Sequence, residues 1–444
     1  MSYIPHTPEE LKQMLKVIGV SSVEELFKDI KPALRPKSFN LPEGKSEFEV
    51  KEYLQRLSQK NNPYFINFMG AGFYDHYIPA VVDTLVSRSE FYTPYTPYQP
   101  ECSQGILQAM YEYQTAICNL TEMDIANASL YDGGTALFEA VMMSLRITQR
   151  DKIIVDGGVN PIYQRMLLTH TANLPIKIVR LPPNIKRADR EKIYYHLDKK
   201  TAAVVLQNPN FFGSIDDHSD IVEKAHQIET LVIENVYPIS LGLLKTPGAM
   251  DVDIVTAEGQ SLGIPLSFGG PYLGILACKK AFLRKMPGRI VGATVDKQGK
   301  KGFVLTLQTR EQHIRGYKAT SNICTNAALC ALRAIIFLCA LGKQGFVKLA
   351  HLNYHKTEFT KKLLKDIPGV EVVNSSTFNE FTVRLKKDAT SVLKQLAEKG
   401  IIGGVPLNRF YKDMKNYFLI AVTERRKKAE ILKFVEALKD AINL

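Results

Sequence analysis

Asp132-Gly133-Gly134-Thr135-Ala136, ahead of an amphipathic run over 137–145, places two glycines and a hydroxyl at the start of a helix. Free backbone N–H groups and the helix dipole make such a start a candidate phosphate cradle, and equally an ordinary glycine turn with an N-cap. Other groups with chemical potential are dispersed. Tyr95, Tyr98 and Glu101 stand in an aromatic loop whose freedom is reduced by Pro94, Pro97 and Pro100. Thr320, Ser321 and Asn322 gather hydroxyl and amide donors just before a helical stretch. His313 lies beside Arg310 and Glu311, as a candidate base or as part of a structural polar cluster. His76, after Tyr74 and Asp75, reads as a structural hydrogen-bonder. None of the six cysteines forms a C-x-x-C pair, so zinc or dithiol chemistry is unsupported and no metal site is expected.

These groups need elements to position them. The chain has 444 residues, 45% hydrophobic and 23% charged, which is ordinary globular usage and excludes a disordered or fibrous chain. Lys and Arg exceed Asp and Glu by 57 to 45, a net charge of +12. The basic runs at 186–192, 297–301 and 425–428 are scattered and read as solvated surface. No nucleic-acid-binding pattern accompanies them. The first residues lack a basic region followed by an apolar stretch. The most apolar run, 327–341, is short and interrupted by Arg333. Neither a signal peptide nor a membrane span is expected, and cysteines in apolar runs suit a reducing, cytoplasmic location.

Thr7-Pro8-Glu9-Glu10 carries an N-cap, a first-turn proline and a capping-box glutamate. The start signal recurs at Ser21/Ser22 before Glu24/Glu25, and at Ser46-x-x-Glu49, with Pro32, Pro36 and Pro42 between. Residues 1–62 therefore read as a helical arm. Beyond it, β-branched runs at 152–156, 176–180, 202–206, 231–234, 252–255 and 273–277 alternate with helix-like stretches such as 161–170 and 220–228. That alternation predicts βαβ units and a largely parallel sheet, forming a large α/β domain over 63–343. A helix over 325–341 leads into a small α/β domain at 344–444, with strands at 370–373, 381–385 and 417–422 and a closing helix at 424–444.

Such a sheet resembles that of pyridoxal-phosphate enzymes of the aspartate-aminotransferase-like class, fold type I. Their chemistry needs a phosphate cradle, a carboxylate for the pyridine nitrogen, a ring stacked on the cofactor, and a Schiff-base lysine. The cradle is present in form. The acid Glu234 in Val232-Ile-Glu-Asn-Val-Tyr237 stands one residue out of place. The turn Ala257-Glu-Gly-Gln-Ser-Leu-Gly263 offers Gln260 where the lysine is needed, and no lysine lies between Lys245 and Lys279. Lys279 and Lys280 read as solvated. Gly157-Gly-Val-Asn160 supplies no ring. The scaffold is there without its reaction centre.

Five segments carry a more particular resemblance. They are Phe91-Tyr-Thr-Pro-Tyr-Thr-Pro-Tyr-Gln-Pro-Glu-Cys-Ser-Gln-Gly105, Asp124-Ile-Ala-Asn-Ala-Ser129, Pro287-Gly-Arg-Ile-Val-Gly292, Leu307-Gln-Thr-Arg-Glu-Gln-His313 and Lys318-Ala-Thr-Ser-Asn-Ile-Cys324. Together they resemble the P-protein family of the glycine cleavage system, from about Pro5 to the C-terminus. Within it they fit the α subunit (subunit 1) of the two-chain bacterial form. Gly316-Tyr317 departs from the charged residues expected there.

The resemblance implies that a β subunit carries the cofactor lysine and pyridoxal phosphate, in an α2β2 assembly. Glycine is decarboxylated there, carbon dioxide leaves, and the aminomethyl group passes to the lipoyl arm of H-protein. It implies no catalytic residue on this chain. Thr320, Ser321 and Asn322 would reach the phosphate of the partner's cofactor in trans, and Tyr95, Tyr98 and Glu101 the substrate side of the interface; N-capping and plain interface packing are the alternatives. The +12 charge would steer an acidic lipoyl protein. Two other functions compete: a non-catalytic scaffold that stabilises β and docks H-protein, and an independent enzyme using an unusual lysine.

Overall fold

The computed structural model describes residues 6–61, 64–323 and 327–443. The chain separates into two units, 1–63 and 64–444. In the first, α1 (Pro8–Ile18) starts on a reciprocal capping box between Thr7 and Glu10 and stops at Gly19, whose φ of 84° favours glycine. α2 (Glu47–Ser58) repeats the box with Ser46 and Glu49 and has no buried side chain. The signal at Ser21/Ser22 yields only a 3₁₀ segment, Val23–Phe27. The Ser21 hydroxyl is engaged by the Glu25 carboxylate, and Ser22 caps nothing.

The second unit opens with β1 (Ile66–Asn67), α3 (Ala80–Val86) and α4 (Gln104–Thr121). Next come β2 (Ile125–Ala126), α5 (Gly133–Thr148), β3 (Lys152–Val155), α6 (Pro161–Thr171) and β4 (Lys177–Arg180). They are followed by α7 (Arg190–His196), β5 (Thr201–Asn208), α8 (Ser219–His226), β6 (Leu231–Val236), β7 (Ile254–Glu258) and β8 (Gly274–Cys278). The seven strands lie in the order β2-β8-β7-β6-β5-β3-β4. From β7 to β4 all pairings are parallel; β8 runs antiparallel to both neighbours. Alternate residues fill separate cores on the two faces. Ile154, Val204 and Val232 face one, and Ile153, Val205 and Ile233 the other. Two covered faces explain the continuous apolar runs in the sequence.

After β8 come a hairpin, β9 (Ile290–Val295) with β10 (Lys301–Thr306), and the short α9 (Gln312–Arg315). α10 (Ala328–Lys365) is interrupted at Gly342, where φ is 60° and ψ 176°. The helix expected from Thr325 thus begins three residues later among the described residues; Thr325 itself lies outside them. The first part of α10 is long and apolar enough to cross a membrane by composition, but Ala331, Leu332, Ala334 and Phe337 are buried in the core of the sheet. Arg333 is held by Asp83 and the Gly263 carbonyl.

The C-terminal layer contains β11 (Val370–Val372), β12 (Glu380–Leu385), α11 (Ala389–Glu398), β13 (Ile401–Ile402), β14 (Val405–Pro406), β15 (Tyr417–Ala421) and α12 (Lys428–Asn443). Its sheet order is β11-β12-β15-β14. This layer also recruits the start of the unit. β1 pairs in parallel with β13, and Phe68 stacks on Phe434 at 4.3 Å.

Candidate functional site

A cavity of about 30 Å³ lies at the C-terminal ends of β5, β6 and β7, where enzymes with an open parallel sheet bind ligands. That is room for a water molecule, far too little for a pyridine ring and its phosphate. Glu258 lines the cavity, and behind Glu258 the glycine start of α5 has donors already engaged. Glu258, the last residue of β7, accepts the Gly133 N–H at 2.9 Å and the Gln260 N–H at 2.9 Å. Asp132 accepts the Thr135 N–H at 2.7 Å. The Gly133 and Thr135 donors of the expected cradle are therefore met by the chain's own carboxylates. Burial pushes the Glu258 carboxyl up to about 7, against the pull of its backbone donors.

The pleat of β6 settles the acid. Asn235 faces the cavity, while Glu234 points to the opposite face and bonds His218 Nδ1 at 2.7 Å. A neutral amide lacks the charge to keep a pyridine nitrogen protonated. Gln260, in the place of the lysine, donates to the carbonyls of Tyr74 (3.1 Å) and Ile264 (2.9 Å) and accepts the Tyr74 N–H at 3.0 Å. The residues of this cavity do not fit pyridoxal phosphate.

Gln260 clasps the segment 71–77, which the C-terminal layer grips from its other side. Glu380 accepts the Ala71 N–H (2.6 Å) and the Tyr74 hydroxyl (2.8 Å). His76 is buried between Glu424, at 2.8 Å, and the Tyr237 hydroxyl, confirming its structural reading. Asp75 pairs with Arg425 (2.7 Å) and with buried Arg426 (3.1 Å). The run at 425–428 is thus more than solvated surface. The same correction applies to Arg190, paired with Asp216 and Asp220, and to Lys279, paired with Asp251 at 2.7 Å and Asp253 at 3.0 Å. Lys280 is exposed as expected.

The second location is a surface on which all five motif segments converge. Arg310 donates to the carbonyls of Met286, Gly288 (3.1 Å) and Leu307 (3.2 Å), tying 287–292 to 307–313. Arg289 adds an ion pair to Glu311 at 3.4 Å. Asn127 Nδ2 donates to the Pro287 carbonyl (3.0 Å), and the Ala128 N–H to that of Arg289 (2.8 Å), which brings in 124–129. From the proline loop, the Tyr98 hydroxyl accepts from Arg289 Nη2 at 3.3 Å, and its ring lies 4.8 Å from that of His313. The Thr320 N–H donates to the Arg310 carbonyl at 2.9 Å. The described part of 318–324 therefore joins the cluster; Cys324 lies outside the described residues.

One member of each candidate set, Tyr98 and Thr320, thus touches this cluster. Tyr95 is 86% exposed and Tyr98 42%, while Glu101 and Asn322 are exposed too. Thr320 and Ser321 are half-buried, and Ser321 Oγ accepts the Ile323 N–H at 3.0 Å. His313 stands 3.8 Å from Glu311 and 3.3 Å from Gln308, as part of a polar cluster. Sequence reasoning missed Arg289 of the Pro-Gly-Arg motif, which is buried at the centre of this cluster. It also missed the helical amides beneath. Gln104 brackets the N–H and C=O of Phe303, both at 2.8 Å, and Gln114 those of Val291 at 2.9 and 3.0 Å. Among the described residues no cluster of His, Cys, Asp and Glu is arranged to hold a metal.

Fold and site together define the class. A glutamate decarboxylase from Lactobacillus brevis superposes with a TM-score of 0.70 at 13% identity, covering 92% of this chain and 95% of that one, which shows the fold alone. The architecture is that of fold type I pyridoxal-phosphate enzymes. A crystal structure of glycine decarboxylase (P-protein) of the glycine cleavage system, in inhibitor-bound form, superposes with a TM-score of 0.93 at 43% identity over 99% of this chain and 100% of that one. Residues 1–438 match the family model described as glycine cleavage system P-protein. A relative in Geotalea daltonii, named "Probable glycine dehydrogenase (decarboxylating) subunit 1", is 54% identical over the whole of both chains. One of the same name in Maridesulfovibrio salexigens is 53% identical, again over both whole chains. The chain belongs to the glycine cleavage system P-protein family.

Proposed function

We propose that this chain is subunit 1 of a two-chain glycine decarboxylase and works at the surface built from its five motif segments. The observation that carries this is the contrast between its two locations. The chain's own cavity does not suit the cofactor, whereas residues nearly two hundred positions apart, exposed Tyr98 and buried Arg289, are brought together where the five motif segments meet. The partner, subunit 2, supplies the Schiff-base lysine and pyridoxal phosphate. This chain contributes polar groups across the interface, Thr320, Ser321 and Asn322 toward the cofactor phosphate and Tyr95, Tyr98 and Glu101 toward glycine. The complex releases carbon dioxide and hands the aminomethyl group to the lipoyl arm of H-protein, in an α2β2 assembly in the cytoplasm. The net charge of +12 favours an acidic carrier. A purely structural role is less favoured, because the relatives are named as subunits of a decarboxylating dehydrogenase.

The test uses the complex co-expressed with subunit 2. Losing a hydrogen bond to a charged group costs about 1.5–3 kcal/mol, or roughly tenfold to a hundredfold. Tyr95→Phe is expected to lower the exchange of glycine carboxylate with labelled bicarbonate by that factor while the complex stays assembled. Ser321→Ala is expected to weaken cofactor retention. Parent rates in both assembled variants would return the chain to the scaffold role.

A further inference from the structure

We infer that the N-terminus of α5 is an anion site that carries its own anion: the Glu258 carboxylate occupies the place that a phosphate or carboxylate ligand would take. This concerns the chain's own cavity and stands apart from the function proposed above.

Three backbone segments converge on this one side chain. Glu258 Oε2 accepts from Gly133 at the first turn of the sixteen-residue α5, and Oε1 accepts from Gln260 (2.9 Å) and, at 3.4 Å, from Leu273. Such converging N–H groups at a helix start are what an oxyanion needs. The residue is 6% exposed; burial and the charge of Asp132 oppose its ionisation, and the backbone donors favour it. A side chain at 133 is excluded: a Cβ there would lie 2.7 Å from the Tyr163 hydroxyl and 3.0 Å from Glu258 Cβ. Asn379 supplies an independent sign of a ligand-shaped space. It is 2% exposed, lines the same cavity as Glu258, and its Nδ2 has no hydrogen-bond partner. One donor lining the cavity is thus unmet, while the N–H groups around Glu258, its near wall, are met from within. Shortening Glu258 would free the near wall and join the vacated volume to the cavity.

The experiment is a thermal melt of the full chain, purified with its partner subunit, titrated with inorganic phosphate above neutral pH at constant ionic strength. Parent and variants are run in parallel, so a response of the partner cancels. Glu258→Ala is expected to melt below the parent and to recover by about 2 °C or more in millimolar phosphate but not in chloride. The parent and Glu258→Gln, which keeps the side-chain volume, are expected to show no phosphate shift beyond the partner's. Should Glu258→Ala fail to fold, Glu258→Asp is read in the same titration, with a smaller recovery expected because its carboxylate is withdrawn by one methylene. A folded Ala or Asp variant that ignores phosphate overturns the proposal. So does a recovery shared with chloride, or a phosphate shift of equal size in Glu258→Gln.

Discussion

Glu380 shows how much one side chain decides. It is fully buried at the start of β12, where it accepts the Ala71 N–H and the Tyr74 hydroxyl, and burial pushes its carboxyl up to about 7. An unfolded glutamate titrates near 4.3, at roughly that value in model peptides. Between these two values the folded chain holds more protons than the unfolded one, so stability falls as pH rises through the window. Glu380→Gln keeps the shape without the titration. Urea melts across this window should show a shallower loss of stability in the variant than in the parent; equal slopes would refute the assignment. The same residue explains Gly213, where φ is 93° and a Cβ would stand 2.1 Å from the Glu380 carbonyl oxygen. No L side chain fits there.

Strands and helices carry the next level of specification. Among the described residues the hairpin of β9 and β10 has no further strand beside it, and an open sheet edge invites wrong pairing. α4 answers with two glutamines, whose amides bracket Phe303 and Val291 as a neighbouring strand would. Gln104→Leu removes both bonds to Phe303 and one to the Pro100 carbonyl (2.8 Å), which anchors the proline loop. We expect a loss of about 2 kcal/mol in urea unfolding and faster proteolysis within 91–103. An unchanged cleavage rate would show that the loop is held by something else. These amides were not legible in the sequence, because a polar residue on a helix reads as solvent-facing. The parallel strands were legible for the opposite reason: with both faces covered they become continuous apolar runs, as at 152–156 and 202–206. α11 passed unnoticed although it has its own cap, from Asp388 to the Ser391 N–H at 2.9 Å, since only Ala389, Val392 and Leu396 turn inward. The missing lysine was equally plain, being a matter of composition over one interval. The filled cradle was not, because Glu258 and Gly133 are 125 residues apart and only the fold joins them.

At the scale of the whole chain, apolar surface is what stands out. The N-terminal arm, taken by itself, exposes large apolar side chains, Val17 at 89%, Leu41 at 76%, Phe39 at 75% and Phe48 at 71%. Chains built for an obligate partner present such surface when alone, where stable interfaces bury on the order of 1,600 Å² or more. The chain expressed by itself is expected to self-associate, and with subunit 2 to give one defined complex with a higher melting temperature. A monodisperse monomer whose melting point ignores subunit 2 would count against the proposed partnership. The clasp made by Gln260 on Tyr74 bears on a different question, that of descent. A lysine arriving at 260 would break the Gln260 hold on Tyr74, yet it would meet a Gly133 N–H already taken by Glu258 and a neutral Asn235 where a charge is required. Each of these single substitutions loses a working contact and gains no chemistry. In evolutionary terms the clasp is a ratchet against regaining that lysine.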